Sequence, residues 1–276
     1  MKKYLEHFLH LSASYRVTPD FLIIGTQKGG TTALFYHLGK HPNVRTAYKK
    51  EVEFFNDKSN YSRGLNWYRS YFPTRAYICF MNWQRMPIVC GEATTHYLWH
   101  ENVPSRVKQL LPNIKLIVLL RNPIERAFSH YQHSCKTGKE TRTFAKAIES
   151  EFELNRSIEC SLTLCGSDTE EAVKKLRGYL RRGVYVEQLE RWFKYFSPDD
   201  FIILRSEDLF YDGEKVLSTV SKFLRLPNFR YSHVDQVRAG QYTEEIDPVL
   251  RDQLKEFYAP FNRELEQLLC TKFSWS

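Results

Sequence analysis

The chain has 276 residues, with 40 Lys+Arg against 32 Asp+Glu for a net charge of +8, and is 42% hydrophobic, 26% charged and 15% aromatic. These fractions exclude collagen-like, disordered and membrane-embedded classes, and the length suits one large α/β domain whose core needs no staples. A basic balance calls for an anionic partner without separating nucleic acid from phosphate, sulfate or a membrane surface.

No run approaches the ~18 apolar residues of a membrane span. Met1-Lys2-Lys3 and the charge and His that follow do not form a signal peptide. The six cysteines show no CxxC and no zinc spacing. They read as buried thiols of a cytoplasmic protein, with Cys160 and Cys165 close enough in sequence for a local disulfide.

Residues 1–18 read as an N-terminal helical extension of a single domain covering 1–276. The first clear element is a buried strand at Phe21-Leu22-Ile23-Ile24, followed by a helix over Thr31–Lys40. Tyr77–Phe80 and Ile88–Cys90 read as weaker strands, Lys115–Leu120 as a second strong one and Phe201–Leu204 as a third. Pro123 opens a helix running through His133. Helical patterns cover 104–111, 143–157, 169–181, 185–195, 212–225 and 248–269. Strands alternating with helices predict an α/β fold with a central parallel sheet flanked by helices. Ligands in such folds sit at the carboxyl ends of the strands, which directs attention to Gly25–Thr32 and Arg121–Ser129.

Gly25-Thr26-Gln27-Lys28-Gly29-Gly30-Thr31-Thr32 stands between a strand and a helix. Glycines let the backbone wrap a phosphate, the helix N–H groups point at it, Lys28 adds charge and the threonines add hydroxyls. The GxxxxGK[ST] pattern fails, since Thr31 stands where its Lys belongs and Lys28 precedes the glycine pair. Nor does an Asp end the second strong strand to hold Mg²⁺; Arg121 follows Leu120. Metal-assisted nucleotide hydrolysis is therefore not supported. In the second segment, an Arg121 fork and the Ser129 hydroxyl two helical turns on suit a second phosphate. Two such sites suggest a nucleotide phosphorylated at two positions.

With these segments the chain resembles the sulfotransferases that use 3′-phosphoadenosine 5′-phosphosulfate (PAPS), in the branch of the heparan sulfate and other carbohydrate enzymes. Gly25–Thr32 resembles the 5′-phosphosulfate loop and Leu116–Tyr131 the 3′-phosphate motif. Lys50–Phe55 resembles the segment of the catalytic carboxylate. Arg182–Tyr185, Ser206–Leu209 and the run from Gly240 to Asn262 resemble later markers of bacterial members, so the similarity spans about 19–276. The resemblance implies a P-loop-like sulfotransferase fold in which Lys28, Gly29, Gly30, Thr31 and Thr32 hold the 5′ end of PAPS and Arg121 and Ser129 its 3′-phosphate. Glu51 is then the general base, Lys28 assists the leaving group, adenosine 3′,5′-bisphosphate is the product and no metal is needed.

Departures bear on the acceptor. Ala93 stands where carbohydrate members often carry lysine, so either Lys49 or Lys50 substitutes or the acceptor differs, and Glu53 replaces a histidine common in 3-O-sulfotransferases. Arg238 and Gly240 stand in for a Lys-Gly-Arg loop. The aromatic cluster Tyr61, Trp67, Tyr68, Tyr71, Phe72, Tyr77, Phe80 and Trp83 is either core packing or an acceptor cleft. With Glu53 and Glu92 beside Tyr68 and Trp83, such a cleft suits a small, even cationic, acceptor. That points to natural-product tailoring, such as sulfation of saxitoxin-type guanidinium alkaloids, ahead of a polysaccharide. Other classes are a nucleotide-dependent kinase and a basic nucleic-acid-binding module. The charge is dispersed, however, and its one dense segment, Lys174–Arg182, reads as a solvated helix face or a basic rim for an anionic acceptor. No nucleic-acid or membrane partner is expected.

Overall fold

The computed structural model describes residues 9–162, 178–231 and 245–275, and of 156–162 the backbone alone. In chain order the regular elements are β1 (Phe21–Gly25), α1 (Thr31–Leu38), β2 (Val44–Thr46), α2 (Lys58–Ser62), α3 (Gly64–Arg69), α4 (Arg75–Trp83) and β3 (Val89–Ala93). Then come α5 (Val103–Leu110), β4 (Lys115–Leu120), α6 (Pro123–Lys136), α7 (Phe144–Leu162), α8 (Tyr185–Phe193), β5 (Phe201–Arg205), α9 (Ser206–Tyr211), α10 (Gly213–Phe223) and α11 (Pro248–Leu269). The chain gathers into two compact units, residues 1–120 with 188–238, and residues 121–187 with 239–276.

The first unit holds the sheet, five parallel strands in the order β2-β3-β1-β4-β5. Every side chain of Phe21–Ile24 and of Leu116–Leu120 is buried, which is why both segments read as continuous apolar runs without alternation. On one face Phe21, Ile23, Ile117 and Leu119 pack against Ala33, Leu34 and Leu38 of α1, Leu209 of α9 and Val216, Leu217 and Val220 of α10. Each fully buried Leu or Ile contributes roughly 1.5–3 kcal/mol. From β1 the chain passes to the edge strand β2, returns to β3 beside β1, and then crosses to the other side for β4 and β5. The carboxyl end of β1 is therefore the point where strand order reverses, the place where such sheets open a crevice.

The segment Tyr77–Phe80, expected as a strand, is the middle of α4. Thr74 caps this helix, its Oγ1 accepting the Tyr77 N–H at 3.3 Å, and local capping outweighs the β-propensity of the aromatics. The helix expected over 212–225 is α10, with Asp212 as its cap (Lys215 N to Oδ1, 3.1 Å), and α9 precedes it. The three-residue β2 was not anticipated. Of the expected N-terminal helical extension, residues 1–8 lie outside the described residues, 9–11 are helical and Ala13–Tyr15 form a 3₁₀ turn.

The second unit is helical where it is described. Asn122 caps α6 through its Oδ1, which accepts the Ile124 N–H at 3.0 Å and the Glu125 N–H at 3.3 Å, with Pro123 in the first turn. Fully buried Arg126 donates to the carbonyls of Gly178 (3.3 Å) and Tyr179, while the Glu151 carboxylate accepts the N–H groups of Tyr179 (2.8 Å) and Leu180 (2.7 Å). Thus 178–180 is pinned from both sides; the rest of the helix expected over 169–181 lies largely outside the described residues. Cys79, Cys90, Cys135 and Cys270 are free thiols, and the side chains of Cys160 and Cys165 lie outside the described residues.

Candidate active site

The turn after β1 is shaped by its glycines. A Cβ on Gly29 would lie 2.8 Å from the Leu119 carbonyl oxygen and 3.0 Å from that of Thr26, so the backbone closes there only without a side chain. The turn is tied down by Thr26 N–H to Leu119 O (2.8 Å), Gly29 N–H to Thr26 O (3.0 Å) and the Ser206 hydroxyl to Gly29 O (2.5 Å). Lys28 and Gly30 both take left-handed backbone, φ 68° and 86°. Gly30 is the N-cap of α1, which leaves the N–H groups of Thr31 and Thr32 in the first turn, where a helix has no carbonyl for them. Thr31 is buried, Thr32 exposed, and Lys28 half-buried. A cradle crowded with backbone, headed by a helix N-terminus and flanked by an ammonium, suits a phosphate or phosphosulfate.

Beside it, at the carboxyl end of β3, sits the turn 51–55. This turn follows β2 in the chain but rests on the residues after β3. Register pairs Phe21, Leu22 and Ile23 of β1 with Gly91, Glu92 and Ala93, so it lies at the end of the strand next to the one that the glycine turn leaves. Glu51 N–H donates to the Ala93 carbonyl (2.9 Å). Its carboxylate accepts the Thr95 N–H (3.0 Å) and Thr95 Oγ1 (3.3 Å), and lies 2.5 Å from Lys50 Nζ. Glu51 and Glu53 both have φ 57°, a left-handed conformation that costs non-glycine residues of order 1 kcal/mol each and persists only where neighbours hold it. Burial first, and then the Glu51 charge, raise the Glu53 carboxyl above its ordinary value. His96 Nδ1 stands 3.7 Å from Glu53 Oε1.

Two expected acceptor residues are inside the protein. Glu92 and Tyr68 are each 0% exposed, and the Tyr68 hydroxyl donates to Glu92 Oε1 at 2.8 Å. Neither offers a surface to an acceptor, because Tyr68 stacks on Phe54 (ring centroids 4.6 Å apart) and closes over the carboxyl. The inner members of the aromatic cluster are thus core. Trp83 is 77% exposed at the end of α4, with Phe80 6.2 Å away as its ring neighbour. In the second unit, Arg121 is half-buried just before the Asn122 cap and its carbonyl accepts the Tyr185 hydroxyl at 2.8 Å; Ser129 is buried in α6. Arg238 and Gly240 lie outside the described residues. Sequence reasoning missed Thr95, Tyr97 and Ser206 as site residues. Ser206 opens a segment already noted as a family marker, whereas Thr95 and Tyr97 carry no signal until the 51–55 turn is seen resting on them.

The family model described as "Sulfotransferase domain" matches residues 18–262. The chain belongs to the sulfotransferase family. Heparan sulfate glucosamine 3-O-sulfotransferase 5 of Mus musculus is 29% identical over 290 residues, covering 97% of this chain and 77% of that protein. Bifunctional heparan sulfate N-deacetylase/N-sulfotransferase 3 of Homo sapiens is 33% identical over 224 residues, 78% of this chain and 23% of that longer protein. Among solved structures, a sulfotransferase from Alicyclobacillus acidocaldarius superposes with a TM-score of 0.69 at 26% identity, covering 94% of this chain and 99% of that one. A mouse sulfotransferase complexed with PAP shares the fold (TM-score 0.52, 14% identity, 92% and 89% covered).

The sulfotransferase is accordingly an enzyme of the PAPS-dependent type, with the α/β architecture read from its strands, and the kinase and nucleic-acid-module readings fall away. The cytoplasmic assignment is not upheld. A relative 27% identical over 321 residues (93% of this chain, 66% of that protein) is the membrane-associated sulfotransferase kil1 of Dictyostelium discoideum, so thiols and composition do not fix a compartment for this family. Among the described residues no helix is long and apolar enough to cross a membrane.

Proposed function

We propose that this sulfotransferase moves the sulfuryl group of PAPS to a hydroxyl or amine of a carbohydrate, with Glu51 as the base. The observation that carries the reading is the Glu51 carboxylate fixed at the end of β3, beside the glycine turn at the end of β1. The acceptor oxygen or nitrogen attacks sulfur in line, the bond from sulfur to the bridging phosphate oxygen breaks, and the acceptor proton passes to Glu51. Charge building on the departing adenosine 3′,5′-bisphosphate is met by Lys28 and the free N–H groups of Thr31 and Thr32. Arg121 and Ser129 hold the 3′-phosphate, and no step calls for a metal.

The carbohydrate acceptor is supported by the names of the relatives, heparan sulfate enzymes that match most of this chain. Lys50, 2.5 Å from Glu51, supplies beside the base the ammonium that Ala93 lacks. A small cationic acceptor is the second reading, and half-buried Glu53, its carboxyl facing the carboxylates of Glu51 and Asp57 as well as the ammonium of Lys49, is the observation in its favour. Glu92 gives it no support from inside the core.

Release of adenosine 3′,5′-bisphosphate with a panel of heparan-type oligosaccharides, amino sugars and guanidinium alkaloids separates the two readings. Turnover with the alkaloids alone would reverse their order. Glu51→Gln tests the base: bisphosphate binding stays as in the wild type and turnover falls by roughly 10²–10⁴-fold, the span of general-base catalysis. Near-wild-type turnover would remove Glu51 from that role.

A further inference from the structure

Beneath the 51–55 turn lies a buried carboxyl that the reaction does not use. Glu92 ends a run of hydrogen bonds with one polarity. The backbone N–H groups of Phe54 (3.1 Å) and Phe55 (3.5 Å) point at the Tyr97 hydroxyl oxygen, and that of Glu53 points at Thr94 Oγ1 (3.4 Å). An amide N–H can only donate, so each hydroxyl must present lone pairs to the turn and turn its own hydrogen the other way. Both hydrogens then have one destination. Tyr97 Oη lies 2.8 Å from Glu92 Oε1 and Thr94 Oγ1 lies 3.1 Å from Glu92 Oε2, with the Tyr68 hydroxyl adding a third donor to Oε1 at 2.8 Å. Three hydroxyl donors converging on one group require an acceptor, and a carboxylate is the side chain that is acceptor only.

The two strained residues of the turn depend on this footing. Glu51 hangs from the Ala93 carbonyl and the Thr95 amide, Glu53 from Thr94, and Phe54 and Phe55 from Tyr97, so the turn is suspended from residues 93–97 with Glu92 at their root. We propose that Glu92 is a positioning residue of the sulfotransferase: by fixing the hydroxyls of Thr94 and Tyr97 it holds the 51–55 turn so that the Glu51 carboxylate stands at the carboxyl edge of the sheet. The proposal rests on Glu51 being the base. Facing Glu92 are Tyr68 from α3, Thr94 and Tyr97 from the segment after β3, and at longer range the Glu51 charge. Burial outweighs the three hydroxyl donors and brings its carboxyl up to about 7. The footing therefore changes its charge near neutrality.

The test is a double-mutant cycle on the full chain with PAPS and whichever acceptor the panel yields. Glu92→Gln keeps volume and still accepts from both tyrosines, but its amide donates to Thr94 where a carboxylate accepted. The expected result is a fall in kcat of about tenfold, with KM for PAPS and the thermal shift given by adenosine 3′,5′-bisphosphate unchanged. In the Glu51→Gln background the same change should cost less than about twofold, because a positioning residue has nothing left to position. Losses that multiply, or a wild-type kcat in Glu92→Gln, overturn the proposal while leaving Glu51 as base. Near-wild-type turnover of Glu51→Gln alone overturns both, and the single variant tells the two failures apart. If Glu92→Gln does not fold, Tyr97→Phe keeps the ring, removes the hydroxyl under Phe54, and is run through the same cycle with the same expectations.

Discussion

The two turns at the carboxyl edge of the sheet, one after β1 and one beside the end of β3, are built by opposite means. The glycine turn is backbone on backbone. Its shape follows from where a Cβ cannot fit, and the Ser206 hydroxyl, from outside the turn, holds it through the Gly29 carbonyl. The 51–55 turn is side chain on backbone. It takes left-handed φ at two glutamates and is held by Thr94, Thr95 and Tyr97, some forty positions along the chain. The turn proposed to take the donor is made of atoms that substitution cannot easily change. The turn proposed to take the proton is held by side chains, and these can be tuned one at a time.

Gly29→Ala should break the first kind of turn outright. The new Cβ meets two backbone carbonyls at 2.8 and 3.0 Å, and neither can rotate aside. The expected outcome is loss of bisphosphate binding by about a hundredfold or more, with a lowered melting temperature, as forced backbone shifts in packed sites cost roughly 1–3 kcal/mol each. Isothermal titration with adenosine 3′,5′-bisphosphate reads the affinity. Binding within twofold of the wild type would mean that the turn is softer than its contacts imply.

Glu92→Gln sharpens the comparison through stability. A buried carboxyl raised to about 7 stays protonated in the folded state while the unfolded chain ionises from about 4.5, so the native state holds the extra proton between those values. Stability from this group is therefore full at low pH, falls as pH rises from 4.5 to 7, and is level above, a loss of about 3 kcal/mol in all. Glutamine cannot ionise. The difference between variant and wild type in urea midpoints should be flat below pH 4.5, grow in favour of the variant up to pH 7, and stop there. A variant more stable at pH 8 yet slower in turnover has the signature of a residue kept for function at the expense of the fold. An unchanged pH slope would show that the carboxyl is solvated.

The same contrast governs what could be read in the sequence. Gly25–Thr32 was legible because its whole signal lies in eight consecutive residues after an apolar strand, and β4 because burial on both faces leaves an unbroken apolar run. The proposal of Glu51 as base rests on resemblance for its sequence signal, since an isolated glutamate in a turn has no local mark. Glu92 and Tyr68 were misjudged as surface groups. Nothing in the string Gly91-Glu92-Ala93-Thr94 tells that three hydroxyls from two segments will close around that carboxyl. Tyr77–Phe80 was misjudged for a simpler reason. Four β-prone residues outweighed one capping threonine on paper, while in the fold the cap starts a helix that propagates through them.

The smallest expected effect comes from Thr95→Val, which asks how finely the second turn is tuned. Thr95 holds the Glu51 carboxylate twice, by its N–H at 3.0 Å and by its hydroxyl at 3.3 Å, and the substitution removes only the longer bond. Valine keeps the branched shape, so the backbone bond and the packing survive. A hydrogen bond to a half-exposed charged group, with Lys50 still 2.5 Å away, is worth about 1 kcal/mol, which corresponds to about a fivefold fall in kcat. Donor affinity should not move, because no bond of the glycine turn is touched. A loss above a hundredfold would mean that the hydroxyl itself meets the reacting groups. No loss at all would mean that backbone and Lys50 alone orient the base, and the second turn would then be closer in kind to the first than its side-chain footing suggests.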